Sequence, residues 1–273
     1  MGRIILIYFF IFTLIPAVNA ARDTTLHLVN QKIIPGEYIN FYPDNLGNIF
    51  LVSKNNQVKK LNQDLDSAGV FNDVRRYGNI YSLDVTNPLK ILVYYKDFTT
   101  ILVLDRFLNV RNTIDLRKFG ILQAKAVAQS YDNNYWVFDE LDNAIKKIDD
   151  YGNVLLQSSD FRILFSEQYT PSSIIDANGL LYLYDEKRGW LVFDYYGTYK
   201  QHIDLSNRKD VQISDNQLIA RDSLYFYSFN TKSFNEIKLS PDINLSVAIK
   251  VQQTLNKIFV LQKDGLSVYT INK

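Results

Sequence analysis

The sequence predicts an all-β protein, a six-bladed β-propeller with four-stranded antiparallel blades. An apolar run that ends at Asn or Asp before a turn recurs every 43 to 46 residues; its clear copies end at Asn62, Asp105, Asp149 and Asp194, and a weaker one ends at Ser240. A period of about 40 to 50 residues is typical of propeller blades, in which one repeat forms four strands. The 19 Tyr and 17 Phe among 273 residues suit half-buried strands better than helices.

The second strand of each repeat is the strongest strand signal, because it is rich in β-branched and aromatic residues. Six such runs predict six blades, and they lie at residues 48–52, 90–95, 134–138, 180–184, 223–227 and 257–261. We interpret the Asp residues that recur between third and fourth strands, such as Asp149 and Asp194, as turn formers whose side chains cap backbone N–H groups. A row of calcium ligands is the competing interpretation.

The two ends of the chain predict how the ring closes. The last strand, at residues 266–271, leaves the sixth blade one strand short. Residues 25–29 form a short strand-like run with no blade of their own, and we expect them to fill that outer place and cover a sheet edge. The pattern therefore predicts one propeller domain spanning residues 21–273.

Residues 1–20 are typical of a secretory signal peptide: Arg3 precedes an apolar run at residues 4–15, and small residues precede Ala21. That run is too short to span a bilayer, which takes roughly 20 residues. Without Arg3, 29 basic residues balance 29 acidic ones, which argues against broad nucleic-acid binding. The chain has no Cys, so disulfides and thiolate chemistry are excluded. We expect a periplasmic or secreted monomer without a transmembrane segment after cleavage.

The turns at residues 45–50 and 149–153 resemble those of six-bladed propellers of the NHL and TolB-like type, and this resemblance covers nearly the whole mature chain. Residues 71–78 and 84–117 also resemble an uncharacterised family of exported propeller proteins from Bacteroidetes. The first resemblance implies the fold, and the second implies export. Neither implies an activity.

Enzymes with related folds provide one alternative function. They place carboxylates, Asn or His at the central channel, yet this chain has only His27 and His202, both expected on outer strands. Two histidines cannot form a three-histidine metal site, and no motif presents a nucleophile for a Ser-His-Asp triad. Asp84, Asp176 and Asp215 are expected on inner strands, where they could bind Ca²⁺ in a hydrolase or lyase. Hydrogen bonding along the channel is the competing interpretation of the three carboxylates.

A second pattern lies in the linkers between blades, which carry Arg75, Arg76, Arg117, Arg162 and Arg208. Linkers and the turns between second and third strands emerge on one face, and those turns are acidic. One interpretation is a ring of inter-blade ion pairs, each contributing about 0 to 1 kcal/mol when exposed. The other is a docking face, because Arg offers planar hydrogen-bonding forks. Aromatic residues flank this face at Phe71, Tyr77, Phe98, Phe119, Phe161, Phe165 and Tyr169.

Together these observations predict an exported, non-catalytic interaction or scaffold module of the bacterial envelope that needs no cofactor. Its expected partner is a protein that docks on the linker face. The alternative is a calcium-dependent hydrolase or lyase with an acidic site in the channel. Exposed aromatics beside arginines would favour the first function, whereas several acidic side chains aimed at one point would favour the second.

Overall fold

The computed structural model describes residues 24–254 and 256–271. The predicted signal peptide, residues 1–20, lies outside the described residues. Every regular element apart from three short helices is a strand, which confirms the all-β class. Within the described residues no helix is long and apolar enough to cross a bilayer.

The strands form six sheets, one per blade. The chain opens with β1 (Thr24–Leu26) and β2 (Leu28–Pro35). Blades one to three follow as β3 (Tyr38–Pro43), β4 (Ile49–Ser53), β5 (Val58–Leu61), β6 (Ser67–Phe71); β7 (Ser82–Asn87), β8 (Lys90–Tyr95), β9 (Thr100–Asp105), β10 (Val110–Asp115); and β11 (Ala124–Gln129), β12 (Tyr135–Asp139), β13 (Ala144–Ile148), β14 (Val154–Gln157). Blades four to six follow as β15 (Ser173–Ala177), β16 (Leu180–Asp185), β17 (Gly189–Asp194), β18 (Tyr199–Ile203); β19 (Lys209–Ser214), β20 (Gln217–Arg221), β21 (Phe226–Asn230), β22 (Glu236–Pro241); and β23 (Lys250–Gln253), β24 (Lys257–Gln262), β25 (Gly265–Ile271).

The core is divided among the six interfaces between neighbouring blades. Each interface holds one cluster of buried side chains; the cluster between blades three and four, for example, contains Trp136, Phe138, Phe161 and Phe193. The central strands are apolar on both faces because each face packs against a neighbouring blade. This packing confirms the six-bladed ring.

The ring is closed by an N-terminal strand, as predicted, but by different residues. β2 pairs antiparallel with β25 from Leu28 opposite Ile271 to Pro35 opposite Gly265, which supplies the fourth strand of blade six. The shorter β1 instead pairs parallel with β22 on the outer edge of blade five. The predicted run at residues 25–29 is thus shared between two blades, since the chain passes from one edge to the next at His27.

Blade five also differs from the prediction. Its second strand is β20, whereas the predicted strand at residues 223–227 spans a turn and the start of β21. Phe234, the first residue of the weaker apolar run that ends at Ser240, lies exposed in the turn before β22. The aromatic run is the stronger strand signal because β20 contains few apolar residues. The buried apolar side chains of β20 are Leu218 and Ala220, and they lie beside the buried Arg221.

The recurring Asx residues are turn formers. Asp149 Oδ1 accepts hydrogen bonds from the N–H groups of Tyr151 and Asn153, both at 2.9 Å. Asp194 repeats this arrangement in the equivalent turn of blade four. A carboxylate that accepts hydrogen bonds from two backbone N–H groups stabilises a tight turn. The turn interpretation of these residues is therefore confirmed.

Two glycines of blade four allow a matched prediction about backbone packing. Gly179 and Gly189 have φ of 79° and 85°, but a Cβ on Gly189 would lie 2.5 Å from Ile203 O, whereas one on Gly179 meets nothing within 4 Å. Gly179→Ala should cost about 1 to 2 kcal/mol from the left-handed backbone alone. Gly189→Ala should cost about 1 to 3 kcal/mol more, because the backbone of the next strand must move. Urea unfolding of both variants measures the difference, and equal midpoints would contradict it.

Candidate functional site: the central cavity and the linker face

Two regions could carry function: the cavity at the centre of the ring, and the face on which the linkers emerge. The inner strands line a cavity of about 600 Å³, to which every blade contributes. His27 and His202 do not line it, as predicted. His27 instead lies near Asp242 at 3.5 Å, and His202 belongs to the outer strand β18.

Asp84 lines the cavity, and its carboxylate joins blade two to blade three. Oδ2 accepts a hydrogen bond from the Gln129 N–H at 2.6 Å, and Oδ1 accepts bonds from the Gln129 side-chain amide at 3.2 Å and from the Thr86 hydroxyl at 2.6 Å. Both oxygens are therefore occupied by protein donors. Asp84 acts here as a connector between inner strands.

Asp176 also lines the cavity, and its carboxylate accepts four hydrogen bonds. Oδ2 accepts hydrogen bonds from Trp136 Nε1 at 3.0 Å, the Ser130 hydroxyl at 3.1 Å and the Tyr131 N–H at 3.2 Å. Oδ1 accepts a bond from the Tyr195 hydroxyl at 2.6 Å, and burial together with this bond raises the pKa of Tyr195. One carboxylate thus connects blade three to blade four.

Asp215 lies elsewhere. It occupies the turn after β19, exposed and with φ of 49°, and it is absent from the cavity lining. The expected inner-strand position of this residue is wrong because β19 ends at Ser214. Across residues 24–254 and 256–271 no group of three or more His, Cys, Asp or Glu side chains is arranged to hold a metal ion.

A third acid, which sequence reasoning missed, connects blades five and six. Asp210 Oδ2 accepts hydrogen bonds from Arg221 Nε at 2.6 Å and from the Val251 N–H at 2.8 Å. Arg221 is 3% exposed, and its guanidinium also donates to the carbonyl oxygens of Leu245 and Ala248 in the linker to blade six. Asp210 is therefore neutralised by a buried arginine.

Lys250 is the one basic side chain among the described residues that line the cavity. Its Nζ donates to Asn40 Oδ1 at 2.7 Å and lies 3.8 Å from the centre of the Tyr42 ring, so it bridges blade six and blade one. Burial lowers the pKa of Lys250 to about 7, against the opposing charge of Asp210. Burial also raises the pKa of Tyr42 to about 12. A sequence signal for Lys250 existed: a lysine opens the inner strand of the last blade.

The linker face carries the predicted arginines. Short helices occupy three linkers: α1 (Val74–Tyr77), a 3-10 helix (Leu116–Phe119) and α2 (Phe161–Phe165). Arg117 binds the Asp115 carboxylate through Nε at 2.9 Å and Nη2 at 3.1 Å, and Arg162 binds Asp160 in the same way. These bonds hold the pKa of Asp115 and Asp160 below the usual range. Each pair joins residues two apart in the chain, and not neighbouring blades as the ion-pair interpretation expected.

The remaining arginines differ from these two. Arg208 is largely buried, stacks 3.5 Å from the centre of the Tyr227 ring and lies near Glu236 at 3.5 Å. Arg76 is exposed and lies 5.2 Å from the Tyr77 ring. The side chain of Arg75 lies outside the described set. Arg117 and Arg162, each about half exposed, are thus the two predicted arginines held by bidentate pairs with free surface beside them.

Most of the linker aromatics pack between blades. Phe71, Tyr77, Phe161 and Tyr169 are buried, while Phe98 is exposed. Other exposed apolar side chains on this face include Leu224, Val247 and Ile249, in blade five and in the linker that follows it. Four exposed aliphatic side chains lie in α2 or in the two segments next to it. They are Leu122, Leu141, Ile163 and Leu164.

These four residues form a patch, which we call the α2 patch. Arg162 Nη2 donates to Leu141 O at 3.3 Å, and the Glu140 N–H donates to Gln123 O at 2.8 Å, so the three segments lie side by side. Ile163 is 79% exposed although Phe161, two residues earlier, is fully buried. The exposed aromatics expected beside the arginines are thus mostly buried, and aliphatic side chains take their place. An exposed apolar patch of this kind marks a contact site, and the adjacent Arg is a residue type enriched at interfaces.

The opposite face, formed by the first and third turns of the blades, has its own exposed side chains. Tyr131, Tyr151 and Tyr196 project there, and Tyr131 stacks on Tyr195 with ring centres 4.4 Å apart. Sequence reasoning missed this feature because turn residues next to Asx carry no apolar periodicity.

The chain is a six-bladed β-propeller, and comparisons with known proteins support this class. It is similar to virginiamycin B lyase from Staphylococcus aureus, with a TM-score of 0.63 and 11% identity over 91% of this chain and 99% of that one. BamB from Moraxella catarrhalis gives a TM-score of 0.56 and 10% identity over 89% and 100% of the two chains. The extracellular domain of the one-component system BT4673 from B. thetaiotaomicron gives 0.56 and 9% over 86% and 33%.

At these identities the likeness shows the fold alone. No family model matches the sequence, and no curated protein is similar to it. The function must therefore be argued from the site.

Proposed function

We propose that this protein is an exported, non-catalytic interaction module of the bacterial envelope that docks a protein partner on its linker face. The α2 patch with Arg162 is the observation that carries the proposal. Side chains there are exposed, apolar and next to a guanidinium that is already oriented by Asp160, so ordering it on binding costs little further entropy.

The channel carboxylates support a non-catalytic role. Asp84 and Asp176 are occupied by bonds that connect blades, and the acid expected as their third partner, Asp215, lies outside the cavity. An active site needs acids that are free to meet a substrate or metal. The competing calcium-dependent function would have to break inter-blade contacts in order to use these residues.

Export, a periplasmic or secreted location and the monomeric state belong to this proposal. Export is supported by the signal-like residues 1–20 and by the resemblance of residues 71–78 and 84–117 to exported propeller proteins from Bacteroidetes. Neighbours of the same fold include BamB and an extracellular domain. N-terminal sequencing of the protein from a periplasmic fraction should give Ala21 as the first residue; a chain that still begins at Met1 would contradict export with cleavage.

The docking test compares variants of the α2 patch with matched variants elsewhere. Arg162→Ala and Ile163→Asp should each lose the partner captured from envelope extract by the parent protein. Their controls are Arg111→Ala, an arginine 70% exposed on β10, and Tyr196→Ala on the opposite face, 82% exposed. Both controls should retain the partner.

For a partner identified in this way, removing a hot spot should cost about 2 kcal/mol or more. That corresponds to about a 30-fold rise in Kd, measured with the purified pair. Loss of the partner with Tyr196→Ala and its retention by Ile163→Asp would place the interface on the opposite face and overturn the proposal.

A further inference from the structure

We propose that the central cavity is a carbonyl-binding site in which the amine of Lys250 forms a reversible imine with a small hydroxylated aldehyde. This inference is independent of the docking function, because the cavity and the α2 patch share no residue.

The position of the amine is the first support. Lys250 Nζ is held by Asn40 Oδ1 at 2.7 Å and by the face of Tyr42 at 3.8 Å. Asp210 is the acid whose charge acts on the Lys250 amine, and it is already paired with Arg221 at 2.6 Å. Lys250 forms no salt bridge with any carboxylate of the described residues, so its amine is oriented without being locked in an ion pair.

The protonation state is the second support. Two titratable groups act on this amine: Tyr42, whose ring centre lies 3.8 Å away, and Asp210, whose charge reaches it although Arg221 pairs with that carboxylate. Burial outweighs the attraction of Asp210 and brings the pKa of Lys250 to about 7, so a substantial share of the amine is neutral at neutral pH. A desolvated, neutral lysine is the form that attacks carbonyl carbons.

The lining selects the kind of ligand. Four carboxylates, those of Asp44, Asp84, Asp176 and Asp210, face the cavity against one amine, which disfavours anions. The hydroxyl groups of Thr86, Ser172 and Ser173 also line the cavity and can accept hydrogen bonds from the hydroxyl groups of a ligand. A volume of about 600 Å³ lies within the range of small-molecule sites, about 300 to 1,000 Å³.

The chemistry balances without an oxidant or reductant. The neutral Lys250 nitrogen forms a bond to the carbonyl carbon while the C=O π bond breaks, and one proton passes from the nitrogen to the oxygen to give a carbinolamine. The C–O bond then breaks, the hydroxyl group leaves as water with the second proton of the nitrogen, and the C=N bond of the imine remains. The Tyr42 hydroxyl, whose pKa is raised to about 12, stays protonated and is available to donate to the carbonyl oxygen. Water reverses each step.

The test traps the imine on the full chain with glyceraldehyde and cyanoborohydride at pH 7, followed by peptide mapping. Lys90 is the matched control because it is also partly buried and lies 4.3 Å from a Tyr135 ring centre, but it is paired with Asp150 at 3.3 Å. Lys250 should be labelled at least tenfold faster than Lys90. The labelling rate of Lys250 should level off at high glyceraldehyde concentration. It should also increase with pH, with an inflection near pH 7.

Two variants keep the test decisive. Lys250→Met should abolish the fast labelling, and Asn40→Ala should slow it several-fold at Lys250 without changing Lys90. Labelling of Lys250 no faster than that of Lys90, or proportional to glyceraldehyde without saturation, would overturn the proposal. So would protection of the cavity by acetate or phosphate in the absence of any trapped imine, because that result would define an anion site.

Discussion

A mature chain that begins at residue 36 should fail to keep its native fold, whereas one that begins at residue 27 should keep it. The longer truncation removes β2, whose eight residues pair with β25 and complete blade six. Loss of that ladder at about 1 kcal/mol per hydrogen bond, with exposure of the β25 edge, should cost about 5 kcal/mol or more. The shorter truncation removes β1, which adds three residues to an already four-stranded blade.

Thermal melting followed by circular dichroism measures this effect. A loss of that size should lower Tm by more than about 10 °C, and the exposed edge should promote aggregation. A synthetic peptide of residues 24–35 should restore the melting temperature by strand addition. Melting of the chain from residue 36 at the temperature of the full mature chain would contradict closure by β2.

Point variants of β2 provide a matched control. Ile34 packs against the cluster between blades six and one, while its neighbour Ile33 is 57% exposed. Ile34→Asp should destabilise the protein and abolish rescue by the peptide, because it places a charge against Leu266 and Val268. Ile33→Asp should do neither.

Asp176→Asn should be the most destabilising isosteric change in the cavity wall. The carboxylate accepts four hydrogen bonds, and an amide would turn its NH₂ group toward donors such as the fully buried Trp136 Nε1. A buried donor left unpaired costs about 1 to 3 kcal/mol, so we expect a loss of roughly 3 kcal/mol in the free energy of unfolding. Intrinsic Trp fluorescence in urea would report both the midpoint and the changed Trp136 environment.

Asp215→Asn is the control for this variant, because Asp215 is exposed in the next blade. An exposed substitution of this kind should change stability by no more than about 0.5 kcal/mol. Equal midpoints for the two variants would show that Asp176 does not connect the blades. A Ca²⁺-dependent rise in Tm that Asp176→Asn abolishes would instead support the calcium-dependent alternative.

Local sequence signals succeeded where the physical cause is itself local. The turn role of Asp149 could be predicted because an Asx side chain reaches N–H groups two and four residues ahead. The burial of Trp136 follows from its place in an apolar run of the second strand. The strand assignment of blade five was wrong because the apolar run at residues 223–227 covers a turn and the start of β21. The second strand of this blade, β20, lies before that run.

The site was predicted less well than the fold. Asp84 and Asp176 were placed on inner strands correctly, while Asp215 was not, because a shift of one or two residues moves a side chain from the wall into a turn. The linker arginines were identified, but the partners of Arg117 and Arg162 proved to be acids two residues earlier in the chain and not acids of a neighbouring blade. Lys250 was missed since its importance arises from Asn40, 210 residues away.

The sequence by itself determined the six-bladed ring, its antiparallel blades and the need for an N-terminal strand, because periodicity and strand patterns repeat along the chain and each copy reinforces the others. Only the tertiary structure decided which residues close the ring, which carboxylates are occupied between blades and that Lys250 lies half-buried at the meeting of the last and first blades. Those outcomes depend on contacts between segments far apart in sequence, where desolvation and hydrogen-bond partners are set by packing.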